Sequence, residues 1–159
     1  MTITSVPITK ENIRNAIDIY NSDKPFLIHH LNMDSVDSAF MFNEIDEMRE
    51  HGFGSKLIMD EGKPIGVIDY MIQQSGYVYL SLLMLDSSVQ GKGIGTMVYN
   101  EFEKRVREQG AAVIRIDVVN DYDSNVIPFW EKVGFVGQGE DELTWGNKLS
   151  KVLIMKKLL

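Results

Sequence analysis

A glycine-rich segment at residues 90–95, Gln-Gly-Lys-Gly-Ile-Gly, limits the folds open to this chain more than any other feature. It follows a stretch at 77–85 that is typical of a strand, which alternates at first and is continuously apolar from 82 to 85, a change that suggests a central strand covered on both faces. The glycine-rich segment opens a further segment to residue 110 whose apolar side chains recur at helical spacing. A second apolar stretch at 113–119 predicts another strand. Strand, helix and strand in this order predict a right-handed crossover between two parallel strands.

The rest of the chain extends this unit into a larger sheet. Further strands are predicted at 2–8, 55–60, 64–74, 135–145 and 149–158, and further helices at 11–20, about 35–52 and 124–133. The order βααβββαβαββ predicts an α/β (α+β) fold with a mixed central β-sheet flanked by helices. No linker, repeat or low-complexity tract interrupts it, so residues 1–159 are expected to form a single domain.

Composition excludes several classes of function. The chain has 159 residues, no cysteine and a formal net charge of −7. The absence of cysteine rules out a disulfide framework, a thiol nucleophile and a Cys-ligated metal, and the three histidines lack the spacing of a metal site. The acidic balance disfavours a nucleic-acid partner and slightly favours a cationic small molecule. Without a signal-like start or an apolar run long enough for a membrane span, a cytoplasmic protein is expected.

The glycine-rich segment lies where free N–H groups at a helix N-terminus bind anions. Its three alternating glycines allow a phosphate to approach the backbone, and its lysine adds positive charge. A P-loop is excluded because Gly-Lys-Ser/Thr does not occur at the required spacing. A dinucleotide fingerprint fails at Thr96, although Asp117 lies near the position of a ribose-binding acid. A nicotinamide enzyme and a turn without any ligand are the remaining alternatives.

Two linked motifs resemble the GNAT superfamily of N-acetyltransferases. Residues 90–95 match its Gln/Arg-x-x-Gly-x-Gly/Ala pattern, and residues 129–135, Phe-Trp-Glu-Lys-Val-Gly-Phe, are similar to its Leu-Tyr-Glu-Lys-x-Gly-Phe. The resemblance covers essentially the whole chain and implies an acyl-CoA N-acyltransferase-like fold with acetyl-CoA as cofactor. It further implies transfer of the acetyl group to a primary amine of a small molecule or peptide, by direct attack in a ternary complex. Dimers are frequent in the family, which leaves a homodimer open.

The resemblance also implies which residues bind the cofactor. In the family, the strand before the turn diverges from its parallel neighbour, and its main chain pairs with the pantetheine arm and the acetyl carbonyl. The turn cradles the pyrophosphate, while residues 120–125 and an aromatic face flank the thioester. Carried over, the cofactor-binding residues are Leu83, Met84, Leu85, Gln90, Gly91, Lys92, Gly93, Ile94, Gly95, Thr96, Asn120, Asn125 and Trp130. A backbone donor near Leu85 would stabilise the oxyanion.

Two positions depart from the family pattern. A glutamate base is common four residues before Leu83, where this chain has Tyr79, and a tyrosine acid is common where it has Trp130. The candidates to replace them as catalytic residues are Tyr79, Asp117 and Tyr122, with Asp69 as a further carboxylate. Proton transfer through solvent is an alternative, and so is a non-catalytic sensor or scaffold that binds acyl-CoA.

Two polar segments have less specific interpretations. His29 and His30 fall between or near the first two predicted helices, in the region from which the family builds its acceptor pocket. They are expected in an exposed loop, and a place in the lining of that pocket is the alternative. The acidic run at 140–142 is expected to be a solvated turn or strand edge, and attraction of a cationic acceptor is the alternative.

Overall fold

A seven-stranded mixed sheet forms the centre of the molecule in the computed structural model, which describes residues 1–124 and 126–159. The strand order is β1-β2-β3-β4-β5-β7-β6. All neighbouring strands are antiparallel except β4 and β5, which are parallel, as the predicted crossover requires. The strands are Ile3–Pro7 (β1), Gly54–Asp60 (β2), Lys63–Ile72 (β3), Tyr77–Leu85 (β4), Val113–Val119 (β5), Val136–Trp145 (β6) and Lys148–Leu158 (β7).

Helices cover both faces of the sheet and bury a separate apolar core on each. Helices α1 to α3 lie on one face, where Leu57 and Val67 contribute to the core, and α4 and α5 lie on the other, with Ile68 and Ile114. The helices are Ile13–Asn21 (α1), Lys24–Leu31 (α2), Ser38–Glu50 (α3), Ile94–Glu108 (α4) and Val126–Lys132 (α5). Within the described ranges, no helix has both the length and the apolar character needed to cross a membrane. The predicted fold class is confirmed.

Helix α2 corrects the sequence prediction, which placed its histidines in an exposed loop. The Asp23 side chain caps this helix by accepting a hydrogen bond from the N–H of Phe26 at 3.1 Å, and Asn32 ends it in the left-handed conformation at φ 55°. Leu27 and Leu31 are fully buried, so packing against the core stabilises a helix of only eight residues. The observed order is therefore βαααβββαβαββ.

A β-bulge in β4 explains why its alternating pattern breaks down in the sequence. Asp69 and Tyr70 of β3 pair with Leu82 and Leu80 of β4, which leaves Ser81 as an extra residue. The bulge changes the face on which the following side chains lie. Leu80 belongs to the core beneath α4, whereas Leu82 belongs to the core beneath α1 to α3.

The acidic run at 140–142 lies on β6, the last strand of the sheet, and its side chains are exposed. The prediction of a strand edge is therefore confirmed.

Candidate active site

The parallel strands β4 and β5 separate after a short common ladder. Among the described residues, which include both strands in full, they pair only at Tyr77 with Val113, Val78 with Ile114 and Tyr79 with Arg115. From residue 80 on β4 and residue 116 on β5, the two strands diverge. The backbone N–H and C=O groups that face this gap need partners other than the neighbouring strand. The divergence that the family resemblance implied is therefore present.

A cavity of about 520 Å³ fills this gap, and we call it the central cavity. Residues 80–85 of β4 and 116–119 of β5 line its sides. Gln90, Gly91 and Gly95 of the glycine-rich turn line one part of it, and side chains of α2, α5 and β6 contribute the rest. The gap between the strands is thus continuous with the N-terminus of α4.

The glycine-rich turn leaves the first N–H groups of α4 uncapped. Gly93 is the N-cap residue with φ 78°, and it has no side chain that could accept from these groups. Gly91 also has a positive φ of 74°. A Cβ added at Gly91 or Gly93 would meet no atom of the described residues within 4 Å, so the backbone is open to an approaching ligand. The 15 residues of α4 add a partial positive charge at this end, which favours an anion.

The polar side chains of the turn hold its conformation. Gln90 Nε2 donates to the carbonyl oxygen of Leu85 at 2.9 Å and to Asp23 Oδ2 at 3.0 Å. Lys92 Nζ donates to the carbonyl oxygen of Ser88 at 3.0 Å, across a single turn of 3₁₀ helix. Gln90 therefore connects the turn to β4 and to the start of α2.

Asp117 and Tyr79, two of the predicted catalytic residues, form a hydrogen-bonded cluster with Arg115. Tyr79 Oη donates to Asp117 Oδ2 at 2.5 Å, and the Arg115 guanidinium donates to both Asp117 oxygens at 2.8 and 3.0 Å. Burial and the neighbouring Asp117 carboxylate raise the pKa of Tyr79, so its hydroxyl stays protonated. Asp117 lines the central cavity, whereas Tyr79 lies against the ring of Phe53.

Tyr122, the third predicted catalytic residue, lines the central cavity beside the two histidines of α2. Its ring stacks on His29 with centroids 4.0 Å apart, and it meets His30 edge to face at 5.7 Å. Burial raises the pKa of the Tyr122 hydroxyl, so it stays protonated at neutral pH.

The predicted cofactor-binding residues fall into four groups. Leu83, Met84, Leu85, Gln90, Gly91, Gly95 and Trp130 line the central cavity. Lys92, Gly93, Ile94 and Thr96 belong to the turn and the first residues of α4. Asn120 lines an adjacent cleft with Asp121 and Lys151, and Asn125 lies outside the described residues. Trp130 is only 7% exposed and packs edge to face on Tyr99 and Phe135, so it also belongs to the core.

An aromatic group lies at one side of the central cavity; the sequence left His30 and Trp145 open as pocket residues, but it gave no sign of Phe26. Phe26, His30 and Trp145 line it together, and the Trp145 indole N–H donates to Glu44 Oε1 at 2.7 Å. Trp145 lies at the end of β6, more than a hundred residues from α2. The start signals of α2 were readable, since an N-cap aspartate precedes a proline in the first turn. The contact with Trp145 has no local signal.

Asp69, the further carboxylate, is buried in β3, next to the point where β4 bulges at Ser81. Its side chain is on β3 and only 4% exposed, and its Oδ1 atom has no hydrogen-bond partner among the described residues. Burial raises the pKa of this carboxyl to about 7. Tyr20 and Glu44 are its charged or titratable neighbours beneath α1 and α3.

The sequence profile of the Acetyltransferase (GNAT) family matches residues 14–135, which include the glycine-rich turn, the diverging strands and α5. The chain belongs to this family. The uncharacterized protein YxbD of Bacillus subtilis (strain 168) is 27% identical over 84 residues, which are 53% of this chain and 49% of that protein. The chain thus spans about half the length of this curated relative.

Solved structures share the fold over nearly the whole chain. An acetyltransferase from Thermus thermophilus is similar with a TM-score of 0.78 at 15% identity, covering 100% of this chain and 98% of that one. The PaiA N-acetyltransferase from Thermoplasma acidophilum, solved in complex with coenzyme A, has a TM-score of 0.68 at 19% identity and full coverage of both chains. These similarities confirm the acyl-CoA N-acyltransferase-like fold.

Proposed function

We propose that this protein is an acetyl-CoA-dependent N-acetyltransferase that acts on a primary amine of a small molecule or peptide by direct attack in a ternary complex. The observation that carries the proposal is the continuity between the uncapped N-terminus of α4 and the gap between β4 and β5. A ligand with a diphosphate at one end and an extended amide-containing arm at the other matches both parts of this site.

The chain's residues fit such a ligand. The N–H groups near Gly91 and Gly93 are free for the diphosphate, and no Cβ obstructs them. Residues 80–85 pair with β3 on one side, and their main-chain groups on the side facing β5 have no ladder partner there, so they are available to the amides of the arm. When bound, acetyl-CoA supplies an acetyl group activated as a thioester. Coenzyme A in the similar PaiA protein of Thermoplasma acidophilum supports the assignment.

Asp117 and Tyr122 are assigned separate roles at the reacting end of the cavity. Arg115 and Tyr79 hold the Asp117 carboxylate in place at the cavity wall, where its charge favours a cationic amine. The Tyr122 hydroxyl, protonated at neutral pH, supplies the proton that the departing sulfur requires. No covalent bond between the acetyl group and the protein is needed in this scheme.

A thermal unfolding scan with acetyl-CoA, coenzyme A, NAD or ATP tests the cofactor site. Ligand at about 100 times its Kd adds roughly 2.7 kcal/mol of stability, which corresponds to a rise in Tm of about 5–10 °C for a domain of this size. We expect this rise with acetyl-CoA and coenzyme A only. A rise with NAD alone would instead support a nicotinamide enzyme.

Release of free thiol from acetyl-CoA tests the activity. The acceptors are 1,4-diaminobutane, L-lysine, 2-phenylethylamine and a peptide with an N-terminal alanine, and each reaction is compared with one that lacks the amine. The proposal requires amine-dependent release with at least one acceptor.

Tyr79 occupies the position where many family members have a glutamate base, and Trp130 the position where many have a tyrosine acid. These two replacements favour a non-catalytic acyl-CoA-binding module as the second candidate. Binding of acetyl-CoA without thiol release would support that candidate.

A further inference from the structure

The ring of His30 is held in one orientation at the wall of the central cavity. His30 lies near the end of α2 and is half-buried. Its ring stacks on Phe26 with centroids 4.0 Å apart and an interplanar angle of 15°, while Tyr122 and Trp145 meet it edge to face at 5.7 and 6.2 Å. Three aromatic neighbours therefore restrict the rotation of the imidazole.

One hydrogen bond determines which ring nitrogen carries the proton. His30 Nδ1 lies 2.9 Å from the carbonyl oxygen of Phe26, one helical turn earlier. A carbonyl oxygen can only accept, so Nδ1 must be the donor. In the neutral imidazole, the lone pair is then on Nε2, which is the atom required of a proton acceptor.

The surroundings of His30, above all its burial, favour the neutral ring at physiological pH. Burial is the main cause that lowers its pKa, and Lys148 of β7 and the adjacent His29 lower it further. The hydrogen bond to Phe26 and the charge of Asp121 oppose this effect. The cavity thus contains an imidazole that is unprotonated at Nε2 before an amine arrives.

Asp117, the acidic candidate that lines the same cavity, is less suited to accept a proton. Both oxygens of Asp117 accept hydrogen bonds from Arg115, and one also accepts from Tyr79. Protonation of Asp117 would break part of this network, whereas protonation of His30 Nε2 breaks no hydrogen bond that the structure describes.

We propose that His30 is the catalytic base of the acetyl transfer, taking a proton from the acceptor amine at Nε2; this inference rests on the proposed function. The amine first releases its extra proton to solvent, and its neutral form attacks the acetyl carbon, so that a nitrogen–carbon bond forms and the carbon–sulfur bond breaks. The proton leaves the amine nitrogen for His30 Nε2, and the sulfur receives the proton of the Tyr122 hydroxyl. The imidazolium then returns one proton to the Tyr122 oxygen, directly or through solvent, which restores both side chains.

Nitrogen NMR of the ligand-free protein tests the geometry without any turnover. Histidine 15N and 1H shifts report the tautomer of each ring, and a pH titration reports its pKa. We expect His30 to be the Nδ1–H tautomer and to titrate below the range of an exposed histidine. An Nε2–H tautomer, or titration at or above that range, would overturn the base assignment.

Steady-state kinetics of His30→Asn, with His51→Asn as a matched control, test the chemical role. His51 makes the same bond, with Nδ1 at 2.8 Å from the carbonyl oxygen of Glu47, but at the exposed end of α3. Asparagine retains a donor near Nδ1 and lacks Nε2. With the fastest amine of the panel, His30→Asn should lose about a hundredfold or more in kcat, while His51→Asn should stay within about twofold of wild type.

Calorimetry and the pH profile separate this role from a structural one. His30→Asn should bind acetyl-CoA as wild type does, lose the acid limb of the pH profile, and recover activity when imidazole is added. A kcat within about threefold of wild type, or weakened acetyl-CoA binding that accounts for the whole loss, would overturn the base assignment and leave the acetyltransferase proposal intact. A wild-type protein that acetylates none of the amines would overturn both.

Discussion

Gly93 and Gly62 have nearly the same positive φ angle but lie in different surroundings. Their φ angles are 78° and 84°, and at neither position would a Cβ meet an atom within 4 Å in the part of the chain that the structure describes. Gly93 begins α4 at the proposed diphosphate site, whereas Gly62 lies in the turn between β2 and β3. Alanine variants at the two positions can therefore separate the effect of backbone strain from the effect of blocking the ligand.

We predict that Gly93→Ala and Gly62→Ala each destabilise the fold by about 1 kcal/mol, because alanine is strained in the left-handed region. Only Gly93→Ala should also weaken acetyl-CoA binding, by about tenfold, since its methyl group would project into the space that the ligand needs. Denaturant unfolding measures the first effect and isothermal titration calorimetry the second. Equal affinities in the two variants would contradict the proposed diphosphate site.

At the residue scale, the sequence could predict those features that depend only on residues close together in the chain. The glycines of the turn are close together in the sequence, and the conformation they permit is their own property. His30 acquires its surroundings from Tyr122 and Trp145, which are distant in the chain. Its direction and its tautomer therefore depend on tertiary packing that a sequence pattern does not encode.

Helix α2 is the element on which one side of the central cavity depends, and Asp23 connects it to the glycine-rich turn. Asp23 Oδ1 caps the helix, and Oδ2 accepts from the Gln90 side chain. We predict that Asp23→Ala costs about 1 kcal/mol of stability through the lost cap, and that Asp23→Asn costs less because its amide oxygen can still cap. Denaturant unfolding of both variants checks this. Equal losses would show that the bond to Gln90, rather than the cap, is the stabilising interaction.

At the element scale, most of the helices and strands could be identified from periodicity and turn residues, to within a few residues of their observed ends. Helix α2 was missed because it is short and has no apolar stripe; its stability comes from Leu27 and Leu31 in the core. The bulge at Ser81 was also missed. The change from alternating to continuous apolar residues suggested coverage on both faces, and it also marked the register shift.

A buried carboxyl makes the stability of the whole molecule depend on pH. The pKa of Asp69 is about 7 in the folded protein, against an ordinary value of 3.8. Between these values the unfolded chain releases this proton and the folded protein retains it. The contribution of Asp69 to stability therefore falls as pH rises from about 4 to 7 and stays low above 7.

We predict that Asp69→Asn, which cannot ionise, becomes more stable relative to wild type as pH rises from 4 to 8. The relative gain should be on the order of 4 kcal/mol, from a shift of about three pKa units. Denaturant unfolding across this pH range measures it. The control is Asp46→Asn on the exposed surface of α3, where the difference from wild type should stay within about 0.5 kcal/mol. A pH-independent difference for Asp69→Asn would contradict the prediction.

At the scale of the whole molecule, the parallel pair of β4 and β5 followed from the predicted crossover, because a helix between two adjacent strands restricts their relative direction. The sides of the central cavity did not follow. They combine α2, the bulged β4, β5, α5 and the end of β6, and their meeting depends on how the two cores pack against the sheet.

The short ladder between β4 and β5 has a consequence for what the protein can recognise. Beyond the three paired positions, the backbone N–H and C=O groups of β4 and β5 that face each other are unpaired. The centre of the sheet therefore contains two strand edges of the kind that a sheet ordinarily has only at its outer border. A chain that carries amides at suitable intervals can extend both ladders at once, much as a peptide is added to an exposed sheet edge. The amide-containing arm of the proposed ligand would then act as a partial eighth strand. It would be selected by the spacing of its amide donors and acceptors more than by its shape.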